Sequence, residues 1–592
     1  MVTSTDLRRG MHVALGDAPA DLIVRGGQVV NVFTGDMSLA NVIISQDRIV
    51  AVGPIRDGMA GPQTRYLDVH DAYVVPALID PHFHAGGTHL AVAQLTEALL
   101  QHGTTTIATD FQEFYVVTGT PGVRAALDEA ARVGLRVLYM VPVHMFMVRN
   151  LGTAGAAMEQ APLMEMLTWP ETMGINEPPA ANLIQENGET IEIIAAALSA
   201  GKLFPGHAVG ITDEDLDAYA AVGASSCHES ATPDQIILKL RRGLKPWLRH
   251  GSAAPDLVNV LPAVRAHPDW MRWTCLCSDE VDPADLYQKG GMDFKVRLAV
   301  ENGIAPIDAI RMATINPAEY YRVDDRLGSV SPGKLADLVV TESLSEFQVR
   351  DVVVGGRVMM SQRRLTTSLP QGGGYPDFVR SQTILRNAMN AGDFDFHVPT
   401  GANRVRVRVI GVADGTLVSQ PLEADLPVVN GSVESDITRD VLKLAVIDRH
   451  TGSGRIGLSF TSGFRLQRGA VSTTYCHPFY QLLVLGTNDA DMARAANIMR
   501  EIGGGIVVVD GENVEQWELS LVGIYTAAPF ADAQREFLRI NQAIRDLGCP
   551  LKAPVLALSF VALQTIPTYG LSDKGLFDAR VQGFVSPVLS AE

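Results

Sequence analysis

In ALIDPHFHAGG, residues 77–87, an apolar run ends in Asp80 and two histidines follow one residue apart. Alternation along an extended chain puts His82 and His84 on one face, so both imidazoles can reach a single ion. The same alternation yields His-x-His pairs with no metal role, so the pair needs partners. They occur downstream: Glu177 in GINEPP, His207 in PGHAVG, His228 in SCHES and Asp279 in CSDE. Each follows a strand-like run. Neutral imidazole and carboxylate suit divalent zinc, iron or manganese alike. Glu177 is placed to bridge two ions, with His207 and His228 holding the second. Asp279 can ligate the first ion and take a proton from a bridging water.

Such a set works only if a scaffold brings the strand ends together. Eight strand candidates lie at 72–80, 104–109, 136–143, 172–176, 201–206, 222–227, 245–250 and 272–278, with helical patterns between them at 121–133, 187–200, 212–221 and 231–242. Eight βα units over roughly 250 residues is the size of a TIM barrel, whose active site forms at the C-terminal strand ends. A doubly wound open sheet is the alternative. Residues 21–54 and 328–359 carry short β-rich runs cut by Gly, Asn and Asp, which is hairpin grammar. The expected organisation is therefore a split β-sandwich from 1–76 plus 325–370, a (β/α)8 barrel over 77–324, and an α+β domain over 376–592. SLPQGGGYPD (368–377) has linker composition, and MREIGGGIVVVDG (499–511) predicts helix, glycine turn, strand.

Bulk properties narrow the function. The chain has 592 residues, 47% apolar and 19% charged, with a formal net charge of -18. That acidity argues against nucleic-acid binding, since no basic patch offsets it; KLRRGLKPWLRH (239–250) is better taken as a helix end entering a strand. Five scattered cysteines, none in a CxxC, predict no disulfide framework and a reducing, cytoplasmic setting. No signal-peptide pattern and no long apolar span is present, so no membrane association is expected.

The order HxH, carboxylate, His, His, Asp resembles the amidohydrolase superfamily from about 21 to 359. GHAVGITDEDLDAYAAVGASSCHES (206–230), LRHGSAAPDL (248–257), CSDE (277–280), RMATINPAEYY (311–321) and SPGKLADLVV (331–340) resemble the bacterial adenine deaminase family more closely. So do VLGTNDADM (484–492), GGGIVVVDG (503–511) and LSDKGLFD (571–578). In that family a glutamate replaces the carbamylated lysine of many relatives, and Glu177 matches it. The resemblance implies His82, His84, Glu177, His207, His228 and Asp279 as ligands of two divalent ions (manganese, iron or zinc), with Asp279 also the general base. It implies a bridging hydroxide that attacks C6 of adenine, with ammonia as leaving group. It also implies a homodimer or higher homo-oligomer acting on a small nitrogen heterocycle.

Three departures from the family pattern are expected near the substrate. HxHIES is here HFHAGG, so Gly86 stands for a glutamate and a carboxylate is lost. DPHE is here DFQE: Asp110 and Glu113 remain, but Gln112 replaces a histidine, which it cannot match as a proton carrier or ligand. HDSHN is here HPFYQ: His477 stays, while Phe479 and Tyr480 make the loop aromatic. Asp110, Glu113, His477, Phe479 and Tyr480 are the expected substrate contacts. Loss of polar groups argues for a different ring from adenine, because specificity rests on satisfied hydrogen bonds. A hydrolase opening a cyclic amide, imide or lactone, with no ammonia released, is the alternative, and a catalytically silent binding protein is the second. GSVSPGKL (328–335) nearly spells a phosphate loop but lacks the Ser or Thr and the following helix. His89 and His102 are expected on a barrel helix, and His144, after the third strand, in a structural role.

Overall fold

The computed structural model describes residues 3–592 except 186–187, 367, 370–373, 399–400, 415–418 and 565–567. The expected linker at 368–377 therefore lies partly outside the described residues. Among the described residues no helix is long and apolar enough to cross a membrane.

Leu22–Val30, Met37–Ser45 and Arg48–Gly53 form an antiparallel meander. Tyr73–Pro76 adds in parallel to the first of these and pairs antiparallel with Leu338–Thr341, beyond which Val349–Val354 and Arg357–Ser361 continue the sheet. Distant parts of the chain thus share one nine-stranded sheet. Its inward residues, among them Val24, Ile44, Val74, Leu338 and Val353, form a core of their own.

The first strand candidate, 72–80, is two strands rather than one. Ala77 N–H donates to Asp337 O (3.0 Å), while Leu78 N–H donates to Gly103 O (2.9 Å). The backbone changes sheets between these two residues. β1 (Leu78–Asp80) and β2 (Phe83–His84) are followed by β3 (Thr104–Thr109), β4 (Arg136–Val141) and β5 (Thr172–Ile175), then by β6 (Pro205–Gly206), β7 (Ser226–Cys227), β8 (Lys245–Arg249), β9 (Cys275–Cys277) and β10 (Asp279–Glu280). They pair in parallel in the orders β5-β4-β3-β1, β6-β7-β8-β9 and β10-β2. An isolated parallel bridge, Gly174 to Leu203, links the two four-stranded sheets. β6 is shorter than the expected 201–206, and Pro205 within it has no N–H to give a ladder.

The connecting helices carry their own stop and start signals. Thr212 with Asp215 and Thr232 with Gln235 form capping boxes ahead of Asp213–Ala221 and Pro233–Arg241. Gly134, at φ 84°, ends Thr120–Val133 in the left-handed conformation that glycine tolerates. After SPGKL the chain enters the strand Leu338–Thr341, not a helix, which disposes of the phosphate loop.

Residues beyond 396 build an eleven-stranded sheet. In Arg404–Gly411 the valines at 405, 407 and 409 face inward and the arginines at 404 and 406 outward, the two-residue period of a half-buried strand. Helix Asp489–Ile502, the turn at Gly503–Gly504 and strand Gly505–Asp510 follow as the glycine pattern predicts. One hydrophobic core runs through both halves, joining Phe83 and Phe114 to Tyr475 and Tyr525. His89 is not on a helix. It precedes Val92–Gln101, and its ring sits between Tyr475 and Trp517, with Nδ1 3.0 Å from Ile524 O.

Candidate metal centre

Two turns of unusual backbone begin the site. β10 pairs with β2 so that Asp279 opposes Phe83 and Glu280 opposes His84, and Asp279 N–H donates to His82 O (2.9 Å). Asp279 adopts φ 62° and Glu177 φ 23°, values that cost a non-glycine residue of the order of 1–3 kcal/mol and persist only where the surroundings impose them. Both carboxylates are thereby turned toward the histidines.

Glu177 is the hub. Its Oε1 lies 3.1 Å from His84 Nε2; its Oε2 lies 3.4 Å from His82 Nε2, 3.3 Å from His228 Nε2 and 3.5 Å from His207 Nδ1. Asp279 Oδ1 is 3.4 Å from His84 Nε2 and 3.7 Å from His82 Nε2. Three overlapping groups have ligand atoms mutually within 4.8 Å: His82, His84 and Glu177; His82, His228 and Asp279; Glu177, His207 and His228. All six residues singled out by sequence meet in this one place.

The donor set fits divalent cations. His82 Nε2, Glu177 Oε2 and His207 Nδ1 are buried without a hydrogen-bond partner. Orphaned buried lone pairs facing one another are costly unless a cation lies between them. The imidazoles of His82 and His228 stack at 3.9 Å, which two imidazolium ions would not tolerate. Burial and the neighbouring His228 hold His82 well below the usual imidazole range. Burial also pulls His84 down, but the Glu177 carboxylate beside it outweighs this and raises it.

Two further groups stand at this centre: Glu229, next to His228 at the end of the same strand, and Arg249, to which the sequence assigned no role. Arg249 Nη1 donates to Glu229 Oε1 (2.6 Å) and Asp279 Oδ2 (2.9 Å), and its Nη2 to Asp256 Oδ2 (2.9 Å). Glu229 Oε1 also stands 3.2 Å from His228 Nε2 and 3.4 Å from His207 Nδ1. Arg249 ends β8, so the strand-end rule that found the histidines pointed to it. A guanidinium is no metal ligand, though, so a search for ligands at strand ends does not select it.

A cavity of about 620 Å³ opens over the centre, and Gln112, His144, Glu280, His477, Pro478 and Phe560 are among the residues that line it. Of the five expected substrate contacts, His477 lines it. Asp110 lies beneath, accepting from Asn176 Nδ2 (2.7 Å). Glu113 accepts from Tyr480 Oη (3.3 Å) and Tyr525 Oη (2.7 Å). Phe479 turns away and packs over Gly152, where a Cβ would come within 2.3 Å of its ring. The cavity's aromatic ring is instead Phe560, stacked parallel to His477 at 4.9 Å. No local pattern in the sequence marks Phe560 apart from an ordinary apolar helix residue.

The expected loss of a carboxylate at Gly86 is also offset. A Cβ on Gly86 would lie 2.2 Å from Glu113 Oε1, and one on Gly87 2.2 Å from Glu280 Oε2. The space left by the two glycines is filled by acidic side chains from elsewhere in the chain, Glu113 of the helix Gln112–Thr118 and Glu280 of β10.

Comparison with known proteins agrees with this geometry. The adenine deaminase C-terminal domain profile matches residues 416–582, and the amidohydrolase family profile matches 257–359. The adenine deaminase of Moorella thermoacetica is 34% identical over 574 residues, covering 96% of each chain. That of Methanococcoides burtonii is 33% identical over 589 residues, covering 98% of each. The chain belongs to the adenine deaminase family. Another relative, the adenine deaminase of Mesorhizobium japonicum, is 34% identical over 96% of this chain and 94% of its own. As a member of the adenine deaminase family carrying an amidohydrolase domain, the protein is a metal-dependent hydrolase of C–N bonds.

Proposed function

We propose that the protein hydrolyses the exocyclic C–N bond of an aminopurine, with adenine and water giving hypoxanthine and ammonia. The observation that carries this is the convergence of four histidines and two carboxylates, with orphaned lone pairs, under a cavity large enough for a purine. In this reading His82, His84, Glu177 and Asp279 hold one divalent ion, and Glu177, His207 and His228 a second; manganese, iron and zinc all suit the set.

Bound divalent ions supply Lewis acidity, which brings the pKa of water toward neutrality. The chain's residues do the rest. Asp279 accepts one proton of the attacking water as its oxygen bonds to C6, then delivers that proton to the amino nitrogen, so that the C6–N bond breaks and ammonia leaves. Arg249 holds Asp279 Oδ2, leaving Oδ1 facing the histidines. Phe560 offers a flat face to the ring, and His477 and Glu280 offer polar atoms to its edge.

The scaffold we infer is one (β/α)8 barrel over 77–324. Support comes from the parallel order of the two four-stranded sheets, their bridge at Gly174–Leu203, and the β10–β2 pairing on the other side. A split β-sandwich of 1–76 with 325–370 and a C-terminal domain over 376–592 complete it. The five cysteines, all buried and free, suit a reducing cytoplasm.

Ammonia release from adenine by manganese-loaded protein, with Asp279→Asn as control, tests the reading. Turnover lost in the control supports it. A metal-replete protein that releases no ammonia from any aminopurine, yet opens a cyclic amide, shifts the activity to ring hydrolysis.

A further inference from the structure

Gln112 bridges two histidines. Its side-chain amide lies 3.5 Å from His84 Nδ1 through Nε2 and 2.6 Å from His144 Nε2 through Oε1. All three residues line the active-site cavity, and Gln112 is buried. A glutamine at this position looks like a loss when set against histidine. The geometry gives it work of a different kind.

The ligand set proposed above, on which this inference rests, uses His84 Nε2, the nitrogen that faces Glu177 and Asp279. A neutral imidazole that gives up Nε2 to a cation carries its one proton on Nδ1. That Nδ1–H needs an acceptor, and the group within hydrogen-bond distance of it is the Gln112 amide. An NH2 facing an N–H is a clash of donors. A half-turn of the amide exchanges its oxygen and nitrogen with almost no change of shape. Gln112 Oε1 then accepts from His84 Nδ1–H, and its NH2 donates to His144 Nε2. His144 must therefore be bare at Nε2 and protonated at Nδ1. Asp110 does not compete, since its Oδ2 is 3.8 Å from His144 Nε2 and already accepts from Asn176.

We propose that Gln112 is a positioning residue that fixes the ring of His84 and the site of its proton, and through its other end sets the tautomer of His144. Outer-shell partners of this kind are worth 10–100-fold in metal affinity. An amide serves as well as the usual carboxylate or carbonyl because it supplies an acceptor to one ring and a donor to the other.

The test is metal affinity, measured by competition against a chelator on the full chain, with Gln112→Leu and Gln112→Glu beside the parent. Gln112→Leu keeps the volume and removes the acceptor; it should bind manganese 10–100-fold more weakly. Gln112→Glu restores an acceptor and should bind at least as tightly as the parent. Equal affinity in the leucine variant overturns the inference alone. A parent chain that binds no divalent ion overturns the ligand set and this inference with it. Should the leucine variant fail to fold, imidazole 15N spectra of the zinc-loaded parent decide: a proton on His144 Nδ1 supports the proposal, and one on Nε2 overturns it.

Discussion

Arg249 Nη1 donates to Asp279 Oδ2 at 2.9 Å while sharing the same nitrogen with Glu229. One buried cation thus serves carboxylates at both ends of the histidine cluster. Arg249→Met should leave Asp279, Glu229 and Asp256 without their counter-charge and cost about 3–5 kcal/mol of stability, as breaking buried pairs does. Denaturant unfolding of the apo-protein measures this. Arg249→Lys should recover only part, because lysine cannot present two planar forks.

Phe560 and Phe479 are expected to separate cleanly. Phe560→Ala removes a face of the cavity; stacking on a base is worth roughly 1–3 kcal/mol, so KM should rise by about 5- to 150-fold with little change in the unfolding midpoint. Phe479→Ala instead empties a packed site and should cost about 3–5 kcal/mol of stability with KM unchanged. Steady-state kinetics beside thermal melts checks both. A KM effect at Phe479 rather than Phe560 would restore the 478–481 loop as the substrate wall.

Acid should weaken the joint between the two halves through His89. Burial pushes this imidazole down to about 4, against an ordinary 6.5. Its folded pKa is the lower one, so the unfolded chain binds the extra proton. Stability is full above about 6.5 and is lost as pH falls toward 4. The linkage gives a loss of roughly 2 kcal/mol between pH 7 and pH 5. His89→Asn, which suits the left-handed φ of 54° there, should be less stable at pH 7 but flatter between pH 7 and 5. An equally steep profile in the variant would assign the acid sensitivity elsewhere.

Gly86→Ala should be costly, since the added methyl would meet Glu113 Oε1. Overpacking of this kind costs about 1–3 kcal/mol. In a double-mutant cycle with Glu113→Ala the two changes should couple by roughly 0.5–3 kcal/mol, the second relieving the first. Additive effects would mean that Glu113 is free to move aside.

What the sequence disclosed and what it withheld divide along a physical line. His82, Glu177, His207, His228 and Asp279 were legible because strand ends are local features, and a parallel α/β scaffold collects such ends by its own regularity. The exchange of sheets at Ala77–Leu78 was not, since both halves of 72–80 are equally β-prone and only their partners differ. Phe560 and the carboxylates beside Gly86 and Gly87 depend on contacts between residues hundreds of positions apart. Gln112 was visible as a departure, but its worth lay in His144, a partner from the next strand's loop. The same holds for Phe479 and Tyr480: an aromatic loop beside His477 does not disclose in a sequence which way its rings turn.

The antiparallel pairing of Tyr73–Pro76 with Leu338–Thr341 also sets a timetable. During synthesis the meander at 22–53 leaves the ribosome early, with one flank open. Tyr73–Pro76 soon covers that flank, but its own outer neighbour, Leu338–Thr341, arrives only after the intervening insert, a delay of roughly 13–50 s at ordinary translation rates of about 5–20 residues per second. For that interval the β-rich edge is bare and prone to unwanted pairing. The small sheet is therefore the last part of the N-terminal half to close, and it closes as a clasp that records the completed insert.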